Sequence, residues 1–234
     1  MIGATTRLVA LLGQPVAESL SPRMQNAAFA ARGLDWAYVA CEVSPPRLEA
    51  AVRGLVALGF AGANVTIPHK RAVAELCDEA DSSSVNTLVF RGERVLGFNT
   101  DRAIVDGLRA EHVCLIGGGG AAEALKPSLD GEVTVFTRSG DWPPDASGFD
   151  LVVNATPVRD ELLVEPLRGQ TVVDLAYRPD GRPTALVDAA RAAGCAVVDG
   201  LEALVRQGAA SYELWTGLAP PVAAMRAAIM PPRP

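Results

Sequence analysis

Short apolar runs of strand length alternate along the chain with longer, alanine-rich stretches whose apolar positions recur at helical spacing. That alternation predicts an α/β protein, with parallel strands joined by crossover helices. RLVALLG (7–13) reads as a first strand, and SPRMQNAAFAARGL (21–34) as a helix that opens near Pro22 and stops at Gly33. A second strand, WAYVACEV (36–43), a second helix, PRLEAAVRGLVALGF (46–60), and a third strand, GANVTI (62–67), follow. RAIVDGLRA (102–110) looks helical. A second series then opens with HVCLIGGGGAAEALKPSL (112–129), in turn a strand, a glycine loop and a helix. EVTVFTRS (132–139), DLVVNATPV (150–158), TVVDLAY (171–177) and CAVVDG (195–200) each carry a further strand.

The expected architecture is therefore α/β with two domains. An N-terminal mixed or parallel α/β domain covers 1–101, a Rossmann-like dinucleotide-binding domain covers 102–205, and C-terminal helices follow over 206–234. A chain of 234 residues is long enough to bury two such cores. Composition narrows the partners. The 27 acidic residues outnumber the 21 basic ones, giving a net charge of −6, and no basic stripe is present, so nucleic acid is not an expected partner. An anionic ligand needs cations placed locally. Cys41, Cys77, Cys114 and Cys195 are scattered without C-x-x-C spacing and read as buried thiols in a reducing compartment. No run approaches the ~18–20 apolar residues of a membrane span. The expectation is a cytoplasmic monomer or homodimer that acts on a small molecule without a metal.

GGGGAAEA (117–124) follows an apolar strand and opens a helix, the context in which glycines bring backbone N–H groups to a pyrophosphate. Its spacing departs from G-x-G-x-x-G, so the loop alone does not name the nucleotide. About 20 residues on, the next strand ends at FTRS, where a dinucleotide site reads the adenosine ribose. An acidic residue there binds a 2′-hydroxyl, whereas Arg138 offers a planar cation for a 2′-phosphate. Arg138 points to NADP(H), with Thr137 and Ser139 as added hydroxyl contacts.

NVTIPHK (64–70) ends a mostly apolar segment on a lysine, just past the carboxyl end of a predicted strand, the edge where open α/β sheets bind ligands. Four more polar motifs accompany it: SLSP (19–22), SVNT (84–87), FNTD (98–101) and RQGAASY (206–212). Each has an ordinary reading. Ser19 and Ser21 suit a helix start, Asn86 and Thr87 suit local backbone bonds, and Asn64 and Thr66 suit a strand end. Asp101 suits a helix cap, and Gln207 an exposed helix face.

Together and in order, SLSP, NVTIPHK, VNT, NTD, GGGGAA, NATP (154–157), DLAY (174–177) and DGL with Q-x-A and WTG (199–217) resemble the shikimate dehydrogenase family over nearly the whole chain. The resemblance implies an enzyme that interconverts 3-dehydroshikimate and shikimate with NADP(H), binding substrate in the first domain and cofactor in the second. Lys70 becomes the catalytic acid/base, paired with Asp101. Ser19 and Ser21 hold the substrate carboxylate, Thr66, Asn86, Asp101 and Gln207 bind ring hydroxyls with Asn64 beside them, and Tyr177 approaches from the cofactor side. For the cofactor, Gly117, Gly118, Gly119, Gly120, Ala121 and Ala122 form the pyrophosphate loop, and Thr137, Arg138 and Ser139 the 2′-phosphate clasp. Asn154, Ala155 and Thr156 join that site, and Leu175 and Gly200 line the nicotinamide.

Five features depart from the family pattern. Gln25 stands where histidine is usual, and Arg102 and Arg159 stand where glycine is usual. The Lys70 to Asn86 segment is about five residues short, roughly a helical turn and a half. Trp142 occupies the place of a second 2′-phosphate arginine. A compact chain with such flanks also fits quinate or an aminated shikimate as substrate, or a non-catalytic shikimate-binding sensor.

Overall fold

The computed structural model describes residues 2–230. The chain forms two compact units: one takes the chain up to Asp101 and resumes at Val205, and the other runs from Arg102 to Leu204.

The first unit opens with β1 (Arg7–Gly13), α1 (Ser21–Ala31), β2 (Trp36–Glu42), α2 (Leu48–Ala57) and β3 (Gly62–Val65). Next come α3 (Lys70–Ala74), β4 (Glu79–Ala80), β5 (Thr87–Arg91) and β6 (Arg94–Phe98). α2 starts later than its apolar pattern because Pro45 and Pro46 open a separate 3-10 turn, Pro45–Arg47. The sheet order is β2-β1-β3-β5-β6-β4. β1 is flanked by parallel partners β2 and β3, which is why its residues from Val9 onward are buried as a continuous apolar run. β5 then pairs antiparallel with β3, and β6 antiparallel with β5, so the sheet is mixed. The β5–β6 hairpin, turning at Gly92 and Glu93, and the two-residue edge strand β4 are too short to stand out by periodicity. One core joins Ala10, Leu12, Val52, Val65, Val73, Leu88 and Phe90.

The shortened segment after Lys70 closes back on its own start. The Val85 N–H donates to the Lys70 carbonyl at 2.9 Å, and the Asn86 N–H donates to the Phe98 carbonyl at 3.0 Å. One and a half helical turns and a short edge strand are thus enough to return the chain to the sheet beside Lys70.

The second unit contains α4 (Arg102–Val105), β7 (His112–Ile116), α5 (Gly120–Leu125), β8 (Glu132–Phe136), β9 (Leu151–Asn154), β10 (Thr171–Asp174), α6 (Ala185–Ala193) and β11 (Ala196–Val198). α4 is a single turn rather than the longer helix expected over 102–110, because Gly107 leaves the helical region at φ 77°. Pro127 similarly converts the end of the α5 run into a 3-10 turn, Lys126–Ser128. All five strands are parallel, in the order β11-β10-β9-β7-β8. This is a doubly wound sheet whose direction of winding reverses between β7 and β9, the place where such sheets take ligands at the strands' carboxyl ends. The period of two is visible in the packing. Val113 and Leu115 face one apolar cluster, while Cys114 and Ile116 face the other.

α7 (Gly200–Thr216) begins in the second unit and ends in the first, where α8 (Val222–Ile229) packs on α1. Among the described residues no helix is long and apolar enough to cross a membrane. All four cysteines are free, but only Cys114 is buried as expected; Cys41, Cys77 and Cys195 are half-buried. Burial, aided for Cys77 by the neighbouring Asp78 charge, pushes the thiols of Cys77 and Cys114 up to about 11 and about 12. Thiols of that kind stay protonated and inert.

Candidate active site

Lys70 is the first residue of α3, and Asp101 lies in the turn after β6. Folding brings these two residues together: Lys70 Nζ donates to Asp101 Oδ2 at 2.5 Å, with only 14% and 10% of the two side chains exposed. The other carboxylate oxygen, Oδ1, accepts from Asn86 Nδ2 at 2.7 Å. Each Asp101 oxygen therefore accepts one bond within the protein and keeps a second lone pair, and Lys70 retains two further N–H donors.

Asn86 is held in one orientation. Its Oδ1 has three donors close by: the Thr100 N–H and the Thr100 hydroxyl, each at 2.9 Å, and the Thr87 hydroxyl at 3.0 Å. An amide flip would set Nδ2 against those donors and the carbonyl against the Asp101 carboxylate, so the NH2 faces Asp101. Below it, Thr87, Thr100 and Ser211 bring their hydroxyl oxygens within 2.9–3.1 Å of one another. Asn64 Nδ2 reaches Thr87 and Ser211 at 3.0 Å each, and its Oδ1 accepts from the Tyr38 hydroxyl at 2.8 Å.

This network changes the expectation for Asn64. The residue is buried and its amide is engaged at both ends by protein groups, so it supports Asn86 and Thr87 from beneath instead of facing a ligand. Sequence reading did not single out Tyr38, Thr100 or Ser211 for this network. Ser211 lies four residues after Gln207, one helical turn along α7, and its hydroxyl also donates to the Gln207 carbonyl at 3.0 Å. That spacing was the available signal.

Ser19 and Ser21 lie at the start of α1, where the Ser21 N–H donates to Ser19 Oγ at 3.3 Å. Thr66 is half-buried just past β3, and its Cγ2 would clash with a Cβ added to Gly13. A glycine at 13 thus leaves room for Thr66, a close approach hidden in the sequence because a glycine ending an apolar strand looks like a simple stop. His69 is buried and its Nε2 lies 2.7 Å from the Val43 carbonyl. A carbonyl only accepts, so Nε2 carries the proton, and the ring pins the NVTIPHK turn from behind. Gln25 is also buried and donates from Nε2 to the Gly208 carbonyl at 2.9 Å, tying α1 to α7 one residue beyond the half-buried Gln207.

In the second unit the loop Gly117 to Gly120 follows β7, with Ala121 and Ala122 in the first turn of α5. Gly117 has φ +120°, outside the reach of other residues, and a Cβ on it would lie 3.2 Å from Thr156 Cγ2 and 3.3 Å from Ala155. The loops after β7 and β9 therefore meet at the point where the winding reverses. Gly119 and Gly120 have nothing within 4 Å of an added Cβ. An exposed glycine backbone at 118 and 119, with no side chain in the way, lets a pyrophosphate approach closely, so this chain's residues fit a dinucleotide.

Asn154 had been expected at the cofactor. It is fully buried: its Nδ2 donates to Asp174 Oδ1 at 2.9 Å, while its Oδ1 accepts from the Thr156 hydroxyl at 2.7 Å and the Thr156 N–H at 3.0 Å. It shapes the loop that carries Ala155 and Thr156. Burial raises the Asp174 carboxyl above its ordinary value, against the lowering effect of its bonds from Thr184, Ala176 and Asn154. Leu175 and Tyr177 are half-buried in the turn after β10. A Cβ on Gly200 would clash with the Ala176 carbonyl oxygen, so glycine is needed where α7 starts against that turn. Thr137, Arg138 and Ser139 follow β8, with Thr137 Oγ1 and Ser139 Oγ 3.2 Å apart.

Sequence and structural comparisons agree on the relatives. A family model described as the shikimate dehydrogenase substrate binding domain matches residues 11–88, and one described as the shikimate 5'-dehydrogenase C-terminal domain matches residues 200–230. A shikimate dehydrogenase (NADP(+)) of Methanopyrus kandleri is 38% identical over 282 residues, covering 98% of this chain and 97% of the relative. The alignment is longer than the 234 residues here, so the relative carries segments that this chain lacks. A crystal structure of shikimate dehydrogenase in complex with NADP+ superposes with a TM-score of 0.88 at 32% identity, covering 98% of this chain and 96% of its own. The Thermus thermophilus shikimate 5-dehydrogenase, in complex with NADP(H) and shikimate, gives a TM-score of 0.83 at 31% identity, with 95% and 98% covered.

Proposed function

The chain belongs to the shikimate dehydrogenase family, and from that premise we propose that it interconverts 3-dehydroshikimate and shikimate with NADP(H), using Lys70 and Asp101 as its acid/base pair. The observation that carries the reading is the Lys70–Asp101 contact at 2.5 Å, braced by Asn86 in the same unit.

NADPH, when bound, supplies a hydride to the ketone carbon. The carbonyl oxygen then gains negative charge, and the Lys70 ammonium donates a proton to it. In the oxidative direction the same amine takes the proton from the hydroxyl. Asp101 holds Nζ in place and accepts from a substrate hydroxyl, while Asn86 keeps a second Nδ2 hydrogen for a ligand. Ser19 and Ser21 bind the carboxylate through their hydroxyls, and Thr66 and Gln207 take ring hydroxyls. Arg138 pairs with the cofactor's 2′-phosphate. Four free thiols suit the cytoplasm, and the protein works there as a monomer or homodimer.

The test is NADPH formation from NADP+ and shikimate, followed by absorbance, with quinate run in parallel. Turnover is expected, with the higher kcat/KM for shikimate. A higher value for quinate would overturn the substrate assignment, and binding of both ligands without turnover would favour the sensor reading. Thr66 gives a finer prediction. Gly13→Ala drives a methyl group into Thr66 Cγ2 and is expected to lower kcat/KM for shikimate about 10- to 100-fold, as a displaced contact does. Unchanged steady-state kinetics in that variant would remove Thr66 from substrate binding.

A further inference from the structure

The Arg138 guanidinium already has an anionic partner within the protein. Its Nη2 lies 3.0 Å from Glu161 Oε2, and the two side chains are 65% and 60% exposed. Its Cζ also sits 5.8 Å from the centre of the Trp142 ring, within reach of a cation–π contact. Trp142 is half-buried against the apolar cluster containing Ile116 and Val152, so the ring is backed by the core. The same corner adjoins the glycine loop, since a Cβ on Gly118 would lie 3.1 Å from Thr137 Cγ2. Arg138 is therefore held beside the loop by a ring on one side and a carboxylate on the other.

We propose that Glu161 is a specificity-determining residue for the cofactor, a resident carboxylate that occupies Arg138 and is displaced by the 2′-phosphate of NADP(H). This rests on the reading of Arg138 as the 2′-phosphate residue. An exposed ion pair is weak and screened, so a phosphate of higher charge, able to pair with the planar guanidinium through two hydrogen bonds, takes its place. The displaced carboxylate then stands near the phosphate and repels it. Toward NAD(H) its effect reverses, because an acidic side chain beside the ribose accepts a bond from a free 2′-hydroxyl. Glu161 thus narrows the preference for NADP(H) that Arg138 creates. Trp142 limits how far Arg138 follows the phosphate, keeping the guanidinium at the mouth of the loop.

The experiment measures binding as well as turnover. Isothermal titration with adenosine 2′,5′-bisphosphate and adenosine 5′-monophosphate, on wild type, Glu161→Gln, Arg138→Leu and the double variant, separates the two residues. Glu161→Gln is expected to tighten the bisphosphate about two- to fivefold, the range of an exposed ion pair, with no tightening of the monophosphate. The ratio of kcat/KM for NADPH over NADH rises by at least that factor. In the Arg138→Leu background the bisphosphate gain is expected to shrink. If Arg138→Leu weakens the bisphosphate while Glu161→Gln leaves it unchanged, or tightens both ligands equally, the role of Glu161 is overturned. If Arg138→Leu itself leaves the bisphosphate unchanged, the 2′-phosphate reading of Arg138 fails as well.

Discussion

Lys70→Ala is expected to lower kcat for shikimate oxidation about 10²–10⁴-fold, the usual worth of a positioned acid/base, while the Kd for NADPH stays at its wild-type value. The glycine loop and Arg138 belong to a different compact unit from Lys70, so removing the amine leaves their local structure alone. The loss of one partner from a largely buried ion pair also leaves the Asp101 carboxylate short of a donor, which costs stability. Lys70→Met, which keeps most of the aliphatic stem, separates that packing effect from the loss of the proton donor. Steady-state kinetics with fluorescence titration of NADPH checks both variants. Wild-type turnover in either would take lysine out of the chemistry.

Asp101→Asn is expected to lower kcat/KM over a similar range, about 10²–10⁴-fold, although it changes a single atom. The carboxylate accepts from Lys70 at one oxygen and from Asn86 at the other. A carboxamide has one oxygen, so its NH2 must face either the Lys70 ammonium or the Asn86 NH2. Asn86 cannot turn without setting its NH2 against the Thr100 N–H, which only donates and lies 2.9 Å from its Oδ1. Each choice sets donor against donor in a buried place, where an unmet polar group is costly. The comparison of kcat/KM for shikimate with the thermal midpoint of the variant distinguishes lost chemistry from lost folding. A variant with wild-type kcat/KM would show that Asp101 neither orients Lys70 nor holds the substrate.

Much of this was legible in the sequence, for reasons that differ from one segment to another. Buried parallel strands such as VCLI and LVVN are apolar on both faces, so they stand out as continuous runs. The β5–β6 hairpin and β4 carry too few residues to show a period, and the antiparallel half of the first sheet emerged only from pairing. Gly107 and Pro127 cut short two helices whose apolar spacing ran on past them.

The candidate site divides in the same way. Lys70, Asp101, the serines, the glycine loop and Arg138 could be named as candidates because their chemistry is carried by residue type within short motifs. Asn64 and Asn154 carry the same kind of polar group, yet their amides are engaged by Tyr38, Thr87 and Ser211 in one case and by Thr156 and Asp174 in the other. A motif states which groups are available; which of them face a ligand depends on hydrogen bonds closed by residues far away in the chain. The same holds for Gly13 and Ser211, which matter through what lies against them, and for Glu161, which meets Arg138 across 23 residues of sequence. The sequence by itself determined the α/β class, which follows from local apolar spacing, and the family, which follows from short motifs met in order, and those motifs supplied Lys70 and Asp101 as the candidate acid/base pair. The tertiary structure alone decided which polar groups are spent on holding others, because each donor hydrogen or lone pair used inside the fold is one fewer for a ligand.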